Sequence, residues 1–468
     1  MKKFFALALL CALSLMGLGC GSNSGSQNSN SQASVFITGE DAPLASVVGF
    51  NVTLNSVTLN GQDGSTATVI SAPTTVDFAR LLGLRSPLAF NSVAPDTYVS
   101  ATFVLANPVV DYVTLVPAPA VSTLNGTFPN NQNPYTLTVN FPTAMVVGTS
   151  GLAGLKMEMD IRDSLATDGN GNLVISNNTI AVNPVIYIKA THASDPDGQI
   201  TDLTGGLVSV NTGNGSFLLQ GPYGRQLTVY VNSDTQFNSG WNINDLAAPA
   251  FVGVQGQFQA DGSLMASGVE VITTAQSFLS GRVLALTTNS SGQVQNITMW
   301  VGETGADLVS NVDTIQTIDV SAIPSGSYDI CFFNGPLTGL LFNDTSVVVG
   351  QRIFVGGSYN GTFTPSMISL RLQGLYGTLD VGNVTITNGN AGSFLLNNNG
   401  LVGYLVGGPV TVNTFNVTAF FNLSGLSQLQ STTTDIPLVS RGLLLQTESG
   451  TPQFYAGWVA DPPQPTGN

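Results

Sequence analysis

The chain has 468 residues, a net charge of −15, 8% charged residues and 43% apolar ones. That much apolar material is ordinary for folded domains, while so few charges leave the surface to Asn, Thr, Ser and Gly. The acidic balance argues against nucleic acid or an anionic membrane surface as partner, and three cysteines are too few for a disulfide scaffold.

Lys2 and Lys3 precede an almost unbroken apolar run from Phe4 to Leu18. The run is too short to span a bilayer and has the form of a signal peptide. It ends in Gly17-Leu18-Gly19-Cys20, which resembles the lipobox of bacterial lipoproteins, with Gly17 where that family usually has an aliphatic residue. The resemblance implies cleavage before Cys20, acylation of Cys20, and attachment to a membrane through that lipid. Residues 21–33 are nearly all Gly, Ser, Asn, Gln and Ala, the composition of a flexible tether. By resemblance to lipoprotein sorting, Gly21 rather than Asp after the cysteine implies the outer membrane.

Beyond the tether, strand patterns dominate. Tyr135, Leu137, Val139 and Phe141 share one face of a period-two run, with Thr136, Thr138 and Asn140 on the other. Leu227, Val229 and Val231 repeat the pattern. Between Phe50 and Leu59 the phase slips from Leu54 to Val57, which predicts a β-bulge. Asp77 to Leu82 is one of few helical signals. The first unit, residues 34–192, carries Thr38-Gly39-Glu40-Asp41-Ala42-Pro43, Val76-Asp77-Phe78, Val93-Ala94-Pro95-Asp96-Thr97-Tyr98 and Asn183-Pro184-Val185-Ile186. With these motifs it resembles the bacterial lipoprotein family catalogued as domain of unknown function 4382, over 34–190. The resemblance implies a β-sandwich of the prealbumin or carbohydrate-binding-module type.

Residues 193–203 read as a linker. After it the chain echoes itself. Gly215-Ser-Phe-Leu-Leu219 recurs as Gly392-Ser-Phe-Leu-Leu396, and Gly205-Gly-Leu-Val-Ser-Val210 echoes Gly281-Arg-Val-Leu-Ala-Leu286. Val254-Gln-Gly256 echoes Val355-Gly356, and Ala266-Ser-Gly-Val269 echoes Ala456-Gly-Trp-Val459. These echoes predict three repeats at 204–273, 274–372 and 373–463, the last two degenerate. The first shows five strand-like runs, the number in a small OB-type barrel. Its Asp261-Gly262-Ser-Leu264-Met-Ala266-Ser-Gly-Val269 closure resembles the family catalogued as domain of unknown function 5666. The expected fold is all-β throughout, a sandwich followed by three OB-like barrels.

Chemistry-bearing patterns are sparse. The single histidine, His192, stands at a domain edge, and no Gly-x-Ser-x-Gly elbow is present to partner it. Cys331 sits in the apolar stretch Ile330-Cys331-Phe332-Phe333, the setting of a buried, inert thiol. Asp168, Asn170 and Asn172 alternate like the first half of a calcium loop but lack its sixth-position Gly and twelfth-position Glu, so a turn is the preferred reading and no metal or cofactor is expected. Glu158 and Asp160 alternate on one strand face, where such pairs are usually solvated. Trp241, flanked by Asn238, Asn242, Asn244 and Asp245, is the speculative ligand-binding loop, since an exposed indole among amides stacks on sugars; the preferred reading is that Trp241 plugs the end of a barrel. The sequence points to a monomeric, lipid-anchored envelope protein with a non-catalytic binding, adhesion or scaffold role, its partner a glycan or another envelope protein. The competing readings are a carboxylate-dependent glycan-active enzyme and an accessory subunit of an outer-membrane assembly.

Overall fold

The computed structural model describes residues 33–462 apart from 43, 82–83, 150, 169–170, 196–197, 222–225, 239, 275–276, 334, 337–339 and 447–450. The proposed signal peptide, Cys20 and residues 21–32 of the tether lie outside the described residues. Almost every element is a strand. Among the described residues no helix is long and apolar enough to cross a membrane.

The first unit contains β1 (Ala33–Ala42), β2 (Val47–Gly61), β3 (Thr66–Ile70), β4 (Thr74–Asp77), β5 (Ser86–Val93), β6 (Asp96–Thr114), β7 (Ala120–Thr127), β8 (Tyr135–Val147), β9 (Leu152–Asp160), β10 (Ile175–Ser176), β11 (Thr179–Ala181) and β12 (Ile186–Thr191). A four-stranded sheet runs β12-β9-β1-β5, with β1 and β9 parallel. An eight-stranded sheet runs β10-β11-β7-β6-β2-β3, with β4 also on β2 and β8 also on β6. One apolar core joins the two sheets and includes Val35, Ile37, Phe50, Phe103, Met157 and Ile188. The unit is therefore a β-sandwich. The phase slip after Leu54 is a register shift between Leu54 and Ser56 where β2 meets β6, the bulge the sequence predicts. The helical signal at Asp77 is a short 3-10 turn, Phe78–Leu81.

Three six-stranded modules follow. The first has β13 (Ile200–Asn211), β14 (Ser216–Gln220), β15 (Gln226–Tyr230), β16 (Gln236–Phe237), β17 (Phe251–Phe258) and β18 (Leu264–Thr273). The second has β19 (Ser277–Thr288), β20 (Val294–Thr304), β21 (Thr314–Asp319), β22 (Tyr328–Ile330), β23 (Arg352–Tyr359) and β24 (Phe363–Leu370). The third has β25 (Gln373–Asn388), β26 (Ala391–Asn398), β27 (Val410–Thr414), β28 (Ala419–Phe421), β29 (Pro437–Gln446) and β30 (Pro452–Ala460). Numbered within a module, the strand order is third-second-first-fifth-sixth-fourth in all three. In the first and third modules a parallel pairing of third with sixth strand closes the ring. Without its short fourth strand, each module has the five-stranded order of an OB barrel. Every sequence echo falls on equivalent strands: β14 with β26, β13 with β19, β17 with β23, β18 with β30.

The barrels bend tightly at glycines. A Cβ on Gly205, Gly281 or Gly377 in the three first strands would meet the carbonyl oxygen of Gln220, Trp300 or Asn397 at 2.3, 1.8 or 2.3 Å. In the fifth strands Gly256, Gly357 and Gly442 press in the same way on the carbonyls of Met265, Thr364 and Tyr455, each where the register shifts. Only a residue without Cβ lets the backbones approach this closely.

The modules are fused rather than strung. Phe36 stacks on Phe258 at 5.2 Å and belongs to the core of the first barrel, with Phe90 beside it. Phe251, Phe278 and Phe354 stack between the first and second barrels. Glu270 and Arg371 form a buried ion pair at 2.5 Å between the same two modules. Residues 193–203, read as a linker, serve as one only in their first half. Ile200 already opens β13, and Thr201 exchanges hydrogen bonds with Arg85 of the sandwich. The polar composition of that segment hid a short strand end held by tertiary contacts.

Gly442→Ala should lower stability by about 1–3 kcal/mol, because β29 must move off β30, whereas Gly326→Ala, with nothing within 4 Å of its Cβ, should be near neutral; urea unfolding midpoints compare the two. Asp77 is buried beneath β2, where its carboxylate accepts from the Phe50 N–H at 2.9 Å, and burial pushes its pKa up to about 6 from 3.8. A raised carboxyl pKa means the folded state binds the proton more tightly. The resulting stability is full below about pH 3.8 and lost as pH rises through about 6, an effect on the order of 3 kcal/mol. Asp77→Asn should therefore flatten this part of the stability–pH curve, and an unchanged slope between pH 4 and 7 would refute the assignment.

Candidate functional site

The four-stranded sheet of the sandwich has two buried faces. On β9, Met157 and Met159 point into the sandwich core, so Gly154, Lys156, Glu158 and Asp160 point outward. On β12, Ile186 and Ile188 point in, so Tyr187, Lys189 and Thr191 point out. The register sets Tyr187 opposite Glu158, Lys189 opposite Lys156 and Thr191 opposite Gly154. The first barrel covers the Phe36 end of this outer face. The third barrel approaches the β12 end and leaves a cleft.

That cleft has a volume of about 1180 Å³ and wraps the edge strand β12. One wall is β8, with Tyr135, Leu137 and Val139 half-buried along its inner face. β8 pairs only with β6, and β12 only with β9, so the two strands meet as edges and the sandwich core is open between them. The floor is Lys156, Glu158, Tyr187 and Lys189. The far wall is the third barrel, with Phe421, Val439, Trp458, Ala460 and Asp461. Arg85 lies over the Trp458 ring, 5.9 Å from its centroid. Arg162 ties the same barrel down by donating to the Tyr376 hydroxyl at 2.6 Å.

The electrostatics follow from this partial burial. Lys156 and Glu158, two apart on one face, lie 3.7 Å apart with both side chains largely covered. Burial raises the Asp160 pKa against the Asp163 N–H and Arg162, which lower it. Burial, reinforced by Asp160, pushes Tyr187 up to about 12. Burial also raises Asp461. The expected solvated Glu158–Asp160 pair is thus buried instead, because a neighbouring module covers the face that a lone sandwich would expose.

The Trp241 loop is held by hydrogen bonds within itself and to the edge of β18. The Asn238 carboxamide donates to the Val271 carbonyl at 3.2 Å and accepts from the Val271 N–H at 3.0 Å, acting as an extra peptide group on the edge of β18. Asn242 caps the turn Ile243–Asp245, accepting from the Asn244 N–H, while Asp245 accepts from the Asn242 N–H. Trp241 is half-buried and packs on the core of the first barrel with Phe237 and Ile243. The loop's polar groups face one another and the ring faces the core, which matches a barrel plug better than a stacking platform.

Asp168 accepts from both nitrogens of Asn172, closing a turn, and Asn170 lies outside the described residues. No group of three or more metal-ligating side chains occurs among the described residues. Cys331 is buried in the core of the second barrel. His192 is exposed at the rim of the cleft, its backbone N–H donating to Asp195.

Sequence reasoning passed over Arg85, Lys156, Tyr187, Lys189, Trp458 and Asp461. One signal was available: the chain has four lysines, two of them Lys2 and Lys3, and the other two line this cleft.

Comparison with known proteins adds a partial family assignment. Residues 197–270 match the family described as Domain of unknown function (DUF5666). They coincide with the first barrel and extend to the true start of β13. No curated protein matches the chain. Among solved structures, Drosophila Unr CSD456 aligns with 55% of this chain and 95% of its own at 7% identity, with a TM-score of 0.14, a superposition that bears on neither fold nor ligand.

Asn238→Ala should destabilise the first barrel by about 1–3 kcal/mol, since it strips both partners from Val271. Asn244→Ala, exposed and local, should stay within about 0.5 kcal/mol. Equal effects in thermal melts would contradict this division of labour.

Proposed function

We propose that the protein is a lipid-anchored, non-catalytic binding protein of the bacterial cell envelope, with the cleft between sandwich and third barrel as its ligand seat. The anchor rests on the signal-like start, Cys20 and the tether composition. The resemblance of the first unit to a bacterial lipoprotein family agrees with it.

The observation that carries the binding role is the cleft itself. Its size, its largely apolar walls and its few convergent polar groups are those of a ligand pocket. It is framed mainly by strands of two modules, β8, β9 and β12 of the sandwich and β29 and β30 of the third barrel. A carboxylate-dependent glycan-active enzyme would have to use Glu158 and Asp461, the two carboxylates that line it. Glu158 sits against Lys156 on a sheet floor, an arrangement that suits charge balance within a binding surface.

Cys20→Ala should shift the protein from the membrane to the soluble fraction, because loss of the acyl chains removes about 0.8 kcal/mol per buried methylene. Retention in the membrane would refute the anchor. For the cleft, ligands that raise the melting temperature of the wild type should fail to do so in Ala460→Trp, which fills the far wall. A ligand at a hundred times its Kd adds about 2.7 kcal/mol. Turnover of a glycan that is abolished by Glu158→Gln would favour the enzyme instead.

A further inference from the structure

We infer that the ligand of this cleft is an amphipathic anion, an acyl chain ending in a carboxylate or a phosphate. The inference rests on the cleft being the binding site and names what fills it.

Charge complementarity is the first observation. Acidic residues outnumber basic ones by 27 to 12 over the whole chain, yet the cleft lining carries Arg85, Lys156 and Lys189 against Glu158 and Asp461. Both lysines beyond residue 3 are here, and the register sets them directly opposite each other on adjacent strands. Like charges at that spacing are unfavourable in a sheet. Glu158 beside Lys156 offsets part of this charge. An anion seated over the lysine pair would accept charge-assisted hydrogen bonds from both ammonium groups.

The apolar wall is the second observation, and it is independent of charge. Tyr135, Leu137 and Val139 form one face of β8 and stay half-exposed, because no strand pairs on their open edge. Val439, Phe421 and Trp458 of the third barrel line the cleft on the other side of β12. A small inorganic anion would leave the half-exposed Tyr135, Leu137, Val139 and Phe421 partly in water, whereas an acyl chain would cover them. A polyanion is disfavoured in turn, since the field of the whole chain is negative while the basic patch is confined to the cleft.

The test uses the full chain carrying Cys20→Ala, so that neither anchor nor detergent competes, with calorimetric titration of decanoate, decyl phosphate, decanol, acetate and inorganic phosphate. Decanoate or decyl phosphate should bind saturably at one per chain, and the stronger of the two identifies the head group. Decanol should bind at least about tenfold more weakly, and acetate and inorganic phosphate not measurably, the charge-assisted contact and the chain both being required. Lys189→Glu, at an exposed position that leaves folding intact, should weaken decanoate about tenfold and leave decanol unchanged. Lys156→Gln should act in the same direction if it folds, and Lys189→Glu decides the matter if it does not. Decanol binding as tightly as decanoate, or Lys189→Glu without effect on decanoate, would overturn the anionic ligand while leaving a binding cleft. Binding of none of the five probes would also overturn it. If no other ligand is then blocked by Ala460→Trp, the binding reading falls too.

Discussion

Phe36 points away from the sandwich core while its neighbours Val35 and Ile37 point into it. Its ring lies across Gly154 of the parallel strand β9, where a Cβ would come within 2.3 Å of it, and reaches Phe258 of the first barrel. A sheet with apolar residues on both faces must be covered on both. In this molecule the second cover is supplied by barrels that come later in the chain. The aromatic stack, the Arg85–Thr201 exchange and the position of the third barrel all serve that requirement.

The cleft is a consequence of the same packing. Convex barrels laid against a twisted sheet leave a gap near one edge. Here the gap falls at β12, where the sandwich is itself open between β8 and β12. Polar groups elsewhere on that outer face are enclosed. Asp160 is buried beside Arg162, which is partly exposed and lies over the Tyr376 ring at 5.1 Å. Glu270 and Arg371 form a buried ion pair where the first two barrels meet. Removing one member of such a pair is costly because the other is left buried without it.

Repetition explains the rest of the architecture. Three modules with one strand order place glycines at matching points of their first and fifth strands. Apart from those glycines and short apolar echoes such as Ser216-Phe-Leu-Leu219 with Ser393-Phe-Leu-Leu396, the barrels differ in sequence, whereas a backbone approach too close for any Cβ admits one residue.

Sequence by itself determined the all-β class, the five main strands of the first barrel, the bulge in β2, and the equivalence of strands such as β14 and β26. Each depends on local periodicity or on side-chain volume at a backbone contact, and both are written along the chain. The candidate site was not legible in that way. Composition around Trp241 cannot show that Asn238 bonds to Val271 across 33 positions. Glu158 looked solvated because period-two alternation tells which residues share a face, but not what lies over it. Lys156 and Lys189 become a pair through β9–β12 register, and the cleft around them exists because the third barrel, more than two hundred residues away in sequence, packs against that edge. Contacts between modules depend on shape and docking at long range, and these only the tertiary structure decided.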